Sequence, residues 1–398
     1  MLTYTLLIIL SSLVIFSYFF DMIARRTKLP SVPLLLVLGI LIRLAVDYFH
    51  IPTFNFLNIL PALGSVGLIL IVLEGTLELK YERKKNKVIL KSFLSAFFIL
   101  LATTAAIGYF FNLASGAGWS QCILNAIPYS IISSAIAIPS VANLTAKKKE
   151  FVIYESSFSD ILGIIVFNFF LYNETISFSS FAILAWDTIL IILVSATFCL
   201  LLLYIIGRIK HQVKFFLILS IIVLVYGAGR ILHLPSLIIV LAFGLFLSNA
   251  SQIRNQIFQK HFMYADYNND LNQLYRMSAE SAFLVRTFFF IIFGFIIELG
   301  LLNDLDTLKT GSYILVIVYF IRSIYLKFIG KIPLIPELFI SPRGLISILL
   351  FISIPEKLLI PEANTGLLFL VVLSSSLIMS FGLLSVKSQS LEQDKSIS

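Results

Sequence analysis

EFVIYESSFSDILGIIVFNFFLY occupies residues 150–172 and decides the class of the chain. The run is long enough for a membrane span, which needs about 20 mostly apolar residues. Yet it carries Glu155 and Asp160, with Ser156, Ser157 and Ser159 between them. An ionisable group at bilayer depth costs on the order of 2.5–3.5 kcal/mol on insertion scales, so each is a functional candidate. Five helical residues separate the two carboxylates by roughly 140° around the axis and about 7.5 Å along it. They therefore face different neighbours: one can meet a partner helix while the other faces a cavity. A helix that starts late would instead leave Glu155 among the headgroups.

The rest of the chain agrees with a membrane setting. Of 398 residues, 59% are apolar and 13% charged, and the mean hydropathy is +1.00. Soluble domains hold about 45–50% apolar and about 25% charged residues. These figures exclude disorder and a soluble fold of this size. Cys122 and Cys199 both lie in apolar runs, which excludes a disulfide framework. Thirteen candidate spans follow: 2–20, 30–46, 60–79, 88–111, 119–144, 150–172, 178–206, 212–228, 233–249, 279–302, 308–330, 336–355 and 363–385. Most of the 29 lysines and arginines fall in the odd-numbered loops and the tail. That asymmetry sets topology. It reads as N-terminus outside and C-terminus in the cytoplasm, and it assigns the net charge of +8 to orientation in a lipid bilayer, not to nucleic acid. The first span has no basic leader or small-residue cleavage site and reads as retained. The polar segment 250–278 reads as the longest cytoplasmic loop, and 386–398 as a short tail after a transmembrane domain of residues 1–385.

The ionisable residues inside spans are few: Glu74, Glu155, Asp160, Arg286, Arg322, Glu337 and Arg343. An unpaired guanidinium at Arg322 would be costly, and Glu155 is the partner expected for it; the alternative is that Arg322 snorkels toward the surface with Lys327. Two spans are interrupted, one by Pro128 and Pro139 and one at Ser341-Pro342-Arg343-Gly344. Pro139 removes a helical hydrogen bond and frees a carbonyl. Paired interrupted segments in the two halves of a chain point to a transporter site near the midplane of an inverted repeat. Gly39, Gly64, Gly67 and Gly294 read as sites of close helix packing. An enzyme is not favoured: His50, His211, His233 and His261 all lie in or beside loops.

Ordered along the chain, five segments resemble a family. Pro33–Ile42 is similar to a "PxLLGxLxxG" segment, Leu73-Glu74-Gly75-Thr76-Leu77 to "FEGGL", and Glu155–Asp160 to "ESLxND". Phe288–Gly294 is similar to an "FFxxxG" helix, and Ser341–Gly344 to a late "RG" segment. Together they resemble the monovalent cation:proton antiporters of the sodium/proton exchanger superfamily, NhaP-type branch. The resemblance implies an all-α polytopic fold of about thirteen helices, with inverted repeats and two crossing discontinuous helices. It implies core helices at about 88–172 and 308–385, dimerisation helices elsewhere, and a homodimer. It also implies that Asp160 is the essential carboxylate, binding proton and metal cation in turn, and that Glu155 forms a structural ion pair with Arg322. Two departures stand out. Ser159 replaces the family's asparagine, and Ser133-Ser134-Ala135-Ile136 replaces a "TD" pair, closer to the "SST" form of the Kef-like branch.

The activity expected is exchange of a monovalent cation for protons with no cofactor, since a proton or a cation can neutralise one buried carboxylate but not both together. Expected ligands are Asp160, the hydroxyls of Ser159, Ser134 and Ser133, and carbonyls near Ala137–Pro139, with Glu74 and Arg343 as further candidates. Sodium is the cation expected; the alternatives are potassium/proton exchange, or an organic-anion symporter on a similar fold using Arg343 or Arg286.

Overall fold

The structure is a computed structural model that describes residues 11–20, 22, 31–50, 60–79, 85–141, 144–173, 186, 189, 193–204, 214–231, 237–253, 255–264, 266–297, 300 and 304–397. Residues 2–10, most of the candidate span 178–206, and the basic residues Arg25, Arg26, Lys28, Lys80, Arg83, Lys84, Arg208 and Lys210 lie outside the described residues, as do His211 and His233.

Among the described residues the chain is helical and contains no strand. In order the helices are α1 (Ser11–Phe20), α2 (Ser31–Tyr48), α3 (Leu60–Glu78), α4 (Asn86–Ser115), α5 (Trp119–Ser130), α6 (Ser134–Ser140) and α7 (Ala146–Tyr172). There follow α8 (Leu193–Tyr204), α9 (Lys214–Ile231), α10 (Leu237–Asn249), α11 (Gln256–Phe262), α12 (Tyr267–Ile296), α13 (Leu305–Ile324), α14 (Leu345–Ile352) and α15 (Thr365–Ile397). Among the described residues, six helical stretches are long and apolar enough to cross a membrane. Large side chains such as Leu113, Leu224, Val316, Phe320, Phe328 and Phe381 stand on the surface, as a hydrocarbon solvent allows and water does not.

The chain forms two compact units. The first comprises residues 1–64, 88–163 and 286–398. In it α4 and α7 run parallel, because Ser92 Oγ donates to the Phe151 carbonyl at 3.1 Å and Phe93 packs edge-on against Phe158. α2 and the last turns of α12 meet backbone to backbone: a methyl at Gly39 would overlap the Ile291 carbonyl oxygen, and one at Gly294 the Leu36 carbonyl oxygen. The sequence-based reading of these glycines as packing positions holds, as it does for Gly64 against Leu349. We expect Gly294→Ala to destabilise the protein by about 1–3 kcal/mol, the usual range for overpacking, visible as a lower melting temperature in detergent; an unchanged value would contradict the close approach. Asp304 caps α13, its carboxylate accepting from the Thr307 hydroxyl at 2.8 Å and the Thr307 N–H at 3.0 Å. Those bonds favour the ionised form and hold Asp304 below the usual carboxylate range.

The second unit comprises residues 65–87 and 164–285. α3 and α10 touch through Gly244, where a Cβ would strike Thr76. Ser248 Oγ and Asn249 Nδ2 each donate to the Leu79 carbonyl at 3.0 Å, closing the end of α3. The Tyr264 hydroxyl donates to Asp270 at 2.7 Å; burial first and then that carboxylate push its phenol above the usual range.

Two expected interruptions are located, and one expectation is corrected. The interruption expected in the run 336–355 is present: Leu345–Ile352 is helical and the residues before it are not, Pro336 and Pro342 being unable to donate to a helix ladder. Residues 267–278, read as loop, form the first turns of α12. Tyr267, Leu271, Leu274, Ser278 and Ala282 recur at helical spacing and are all buried. The break expected within 130–140 falls at Ile131–Ser133, and Pro139 sits inside α6.

Candidate functional site

The site is assembled where the interruption between α5 and α6 meets the extended segment before α14. The Ser133 N–H donates to the Pro342 carbonyl at 2.8 Å, so the two breaks are joined by their backbones. Each helix end at a break leaves backbone groups without partners. At the end of α5, the carbonyls of Tyr129 and Ser130 accept from Arg343, Nε at 2.7 Å and Nη2 at 3.3 Å. Arg343 Nη1 donates to the Ser341 carbonyl at 2.5 Å and its hydroxyl at 2.6 Å. Arg343 is wholly buried, and no carboxylate among the described residues pairs with it. A fixed cation therefore sits against the negative end of α5.

Asp160 provides the opposite charge at the start of α6. The Ser134 hydroxyl donates to Asp160 Oδ2 in a short hydrogen bond, and the Ser134 N–H approaches the same oxygen at 3.3 Å. The other oxygen, Oδ1, is buried and has no hydrogen-bond partner among the described residues. The Ser133 hydroxyl is likewise buried without one. Ser159 Oγ accepts from the Ile132 N–H at 2.9 Å and so holds the extended residues in place. Gly163 allows this approach: a methyl there would overlap the Ile131 side chain.

Ala137, the remaining residue of the broken helix named from sequence, lies in α6. Its carbonyl accepts from the Val141 N–H at 3.2 Å and continues the helix. The carbonyl that Pro139 leaves without its usual donor is the one four residues earlier, on Ala135, and it accepts from Arg286 Nη1 at 3.1 Å.

Glu155 points away from this cluster, as the helical geometry requires. Its carboxylate takes two bonds from Arg322, Nη2 to Oε2 at 2.7 Å and Nη1 to Oε1 at 3.1 Å. α7 starts at Ala146, so the helix does not start late. Both partners are at most 1% exposed. Two further contacts complete the pair, neither foreseen from sequence: Ser95 Oγ donates to Glu155 Oε1 at 2.5 Å, and Arg322 Nε donates to the Glu337 carbonyl at 3.0 Å. The Glu337 side chain is buried 3.7 Å from Lys148 Nζ. Glu74, the remaining candidate, lies half-buried on α3 in the second unit.

A buried carboxylate with one oxygen held by a hydroxyl and one oxygen open, on a break of matched charges, is suited to holding a small cation or a proton. The sequence model described as "Sodium/hydrogen exchanger, transmembrane" matches residues 9–386.

The chain belongs to the sodium/hydrogen exchanger family.

Membership makes it a multi-pass membrane transporter of cations and protons, and cation/proton antiport its class of activity. Two solved structures share its fold. A structure of the sodium proton antiporter MjNhaP1 from Methanocaldococcus jannaschii at pH 8 superposes with a TM-score of 0.71 at 20% identity, covering 96% of this chain and 100% of that one. An electron-microscopy structure of the same antiporter gives 0.67 at 20% identity, covering 96% and 97%. No curated protein sequence matches the chain significantly.

Proposed function

We propose that this exchanger moves sodium against protons, one for one, by competition at Asp160. The observation that carries the reading is the state of that carboxylate: 3% exposed, Oδ2 held by Ser134, and Oδ1 buried without a partner. An ionised carboxylate so placed lacks the solvation it would have in water and is neutral only when a proton or a cation joins it. Occupancy by one excludes the other, and alternating exposure of the site then exchanges them. A single charge carried each way makes the cycle electroneutral. Hard oxygen donors suit sodium or lithium: Asp160 first, then the hydroxyls of Ser134, Ser133 and Ser159. Glu155 and Arg322 hold α7 against α13 and carry no ion.

In this reading the core helices 88–172 and 308–385 form the moving part of a homodimer in the cell membrane. The N-terminus is outside and the C-terminus cytoplasmic, as the loop charges favour. Organic-anion symport is disfavoured because the Arg343 guanidinium is occupied by carbonyls and a hydroxyl, and Arg286 donates to the Ala135 carbonyl.

The test is transport by proteoliposomes carrying an internal pH dye. Outward-directed proton movement is expected on adding sodium or lithium, at a rate unchanged when valinomycin and potassium clamp the membrane potential. A rate that follows the potential would contradict electroneutrality, and no response to any monovalent cation would contradict antiport.

A further inference from the structure

α6 is seven residues long, and only three of its carbonyls have a donor four residues on within the helix: Ser134 to residue 138, Ala135 to 139, and Ile136 to 140. Pro139 has no N–H and removes the middle one. In so short a helix this loss falls on the turn that presents Ser134 to Asp160. The orphaned carbonyl of Ala135 is instead reached by Arg286, from the distant helix α12, with Nη1 at 3.1 Å.

We propose that Arg286 is a positioning residue for cation binding: its guanidinium supplies to Ala135 the hydrogen bond that Pro139 cannot give, and thereby fixes the turn from which Ser134 holds Asp160. This inference rests on the function proposed above and adds a residue to it. The donor is charged, and hydrogen bonds from charged donors are the stronger class. The contact is also long-range in sequence, 151 residues apart, so it ties the geometry of the ion site to the position of α12. Arg286 itself does not touch the carboxylate oxygens in this arrangement; it acts through Ala135 and Ser134. Its loss therefore weakens the hold on the cation more than it slows the turnover of loaded protein.

A double-mutant cycle tests this, read as sodium KM and Vmax in proteoliposomes. Arg286→Met raises the sodium KM by about tenfold, the factor one charge-assisted hydrogen bond carries, with Vmax within about twofold. Arg286→Lys, which keeps a donor, recovers a substantial part of the affinity. Pro139→Ala restores an N–H for the Ala135 carbonyl, so in that background Arg286→Met raises KM by less than about threefold. Amide exchange over residues 133–138 follows the same order: faster in Arg286→Met, and close to wild type when Pro139→Ala is added. An unchanged KM in Arg286→Met, with wild-type antiport intact, overturns the inference and leaves the proposed function standing. So does a tenfold effect that persists with Pro139→Ala, or one that Lys fails to relieve. Wild-type protein without antiport overturns the proposed function itself, and the inference with it.

Discussion

Glu155→Ala lowers the melting temperature of the purified protein further than Gly294→Ala does. The variant leaves Arg322 wholly buried, with its remaining bond to the Glu337 carbonyl and no counter-charge in contact. Removing one partner of a buried pair costs about 3–5 kcal/mol, since the other charge stays behind without its solvation. The Ser95 hydroxyl loses its acceptor at the same time. Replacing both partners by apolar residues of similar size, Glu155→Leu with Arg322→Met, is expected to recover most of that loss, because the paired state carries its own desolvation cost. Thermal unfolding of the two single variants and the double variant measures this directly. An unchanged melting temperature in Glu155→Ala would show that Arg322 has another counter-charge.

Asp160→Asn has the larger effect on transport. The amide is close in shape to the carboxylate and keeps an oxygen to accept from the Ser134 hydroxyl and N–H, so the protein folds with a melting temperature near wild type. It neither takes up a proton in the working range nor offers a charge to a cation. Sodium-driven proton movement falls to the background of empty vesicles, by at least about a hundredfold if the carboxylate supplies several kcal/mol of cation binding. Robust exchange by a folded Asp160→Asn protein would sink the assignment of the site.

Much of this arrangement was legible in the residues themselves. The angular separation of Glu155 and Asp160 on one helix demanded two different environments, and the structure provides them: an arginine for Glu155 and a serine hydroxyl for Asp160. For Arg322 the residues left pairing and snorkelling both open, and the structure shows the pair. The place of the break within 130–140 was harder to read. Pro139 marks where a hydrogen bond is missing, but a proline in a helix is tolerated if another donor reaches the freed carbonyl, and Arg286 does so from a segment 151 residues away. The actual break at Ile131–Ser133 contains neither Pro nor Gly. It is held open by tertiary donors and acceptors, Ser159 on Ile132 and Pro342 on Ser133, which no local signal reveals. The interruption before α14 was legible in Pro342 and its small neighbours, but not that the helix after it is only eight residues long. The polar first turns of α12 were read as loop because composition outweighed the spacing of Tyr267, Leu271 and Leu274. Ser95 carried no signal of its own; only the parallel packing of α4 and α7 brings it to Glu155.

Competition between sodium and a proton at one carboxylate means that sodium binding releases a proton. Purified protein in weakly buffered detergent solution is titrated with sodium chloride while pH is recorded, beside the Asp160→Asn variant and a choline chloride control. Sodium is expected to displace close to one proton per site from wild-type protein held at a pH where Asp160 is protonated, and none from the variant. Sodium binding without proton release, or equal release from the variant, would contradict that competition.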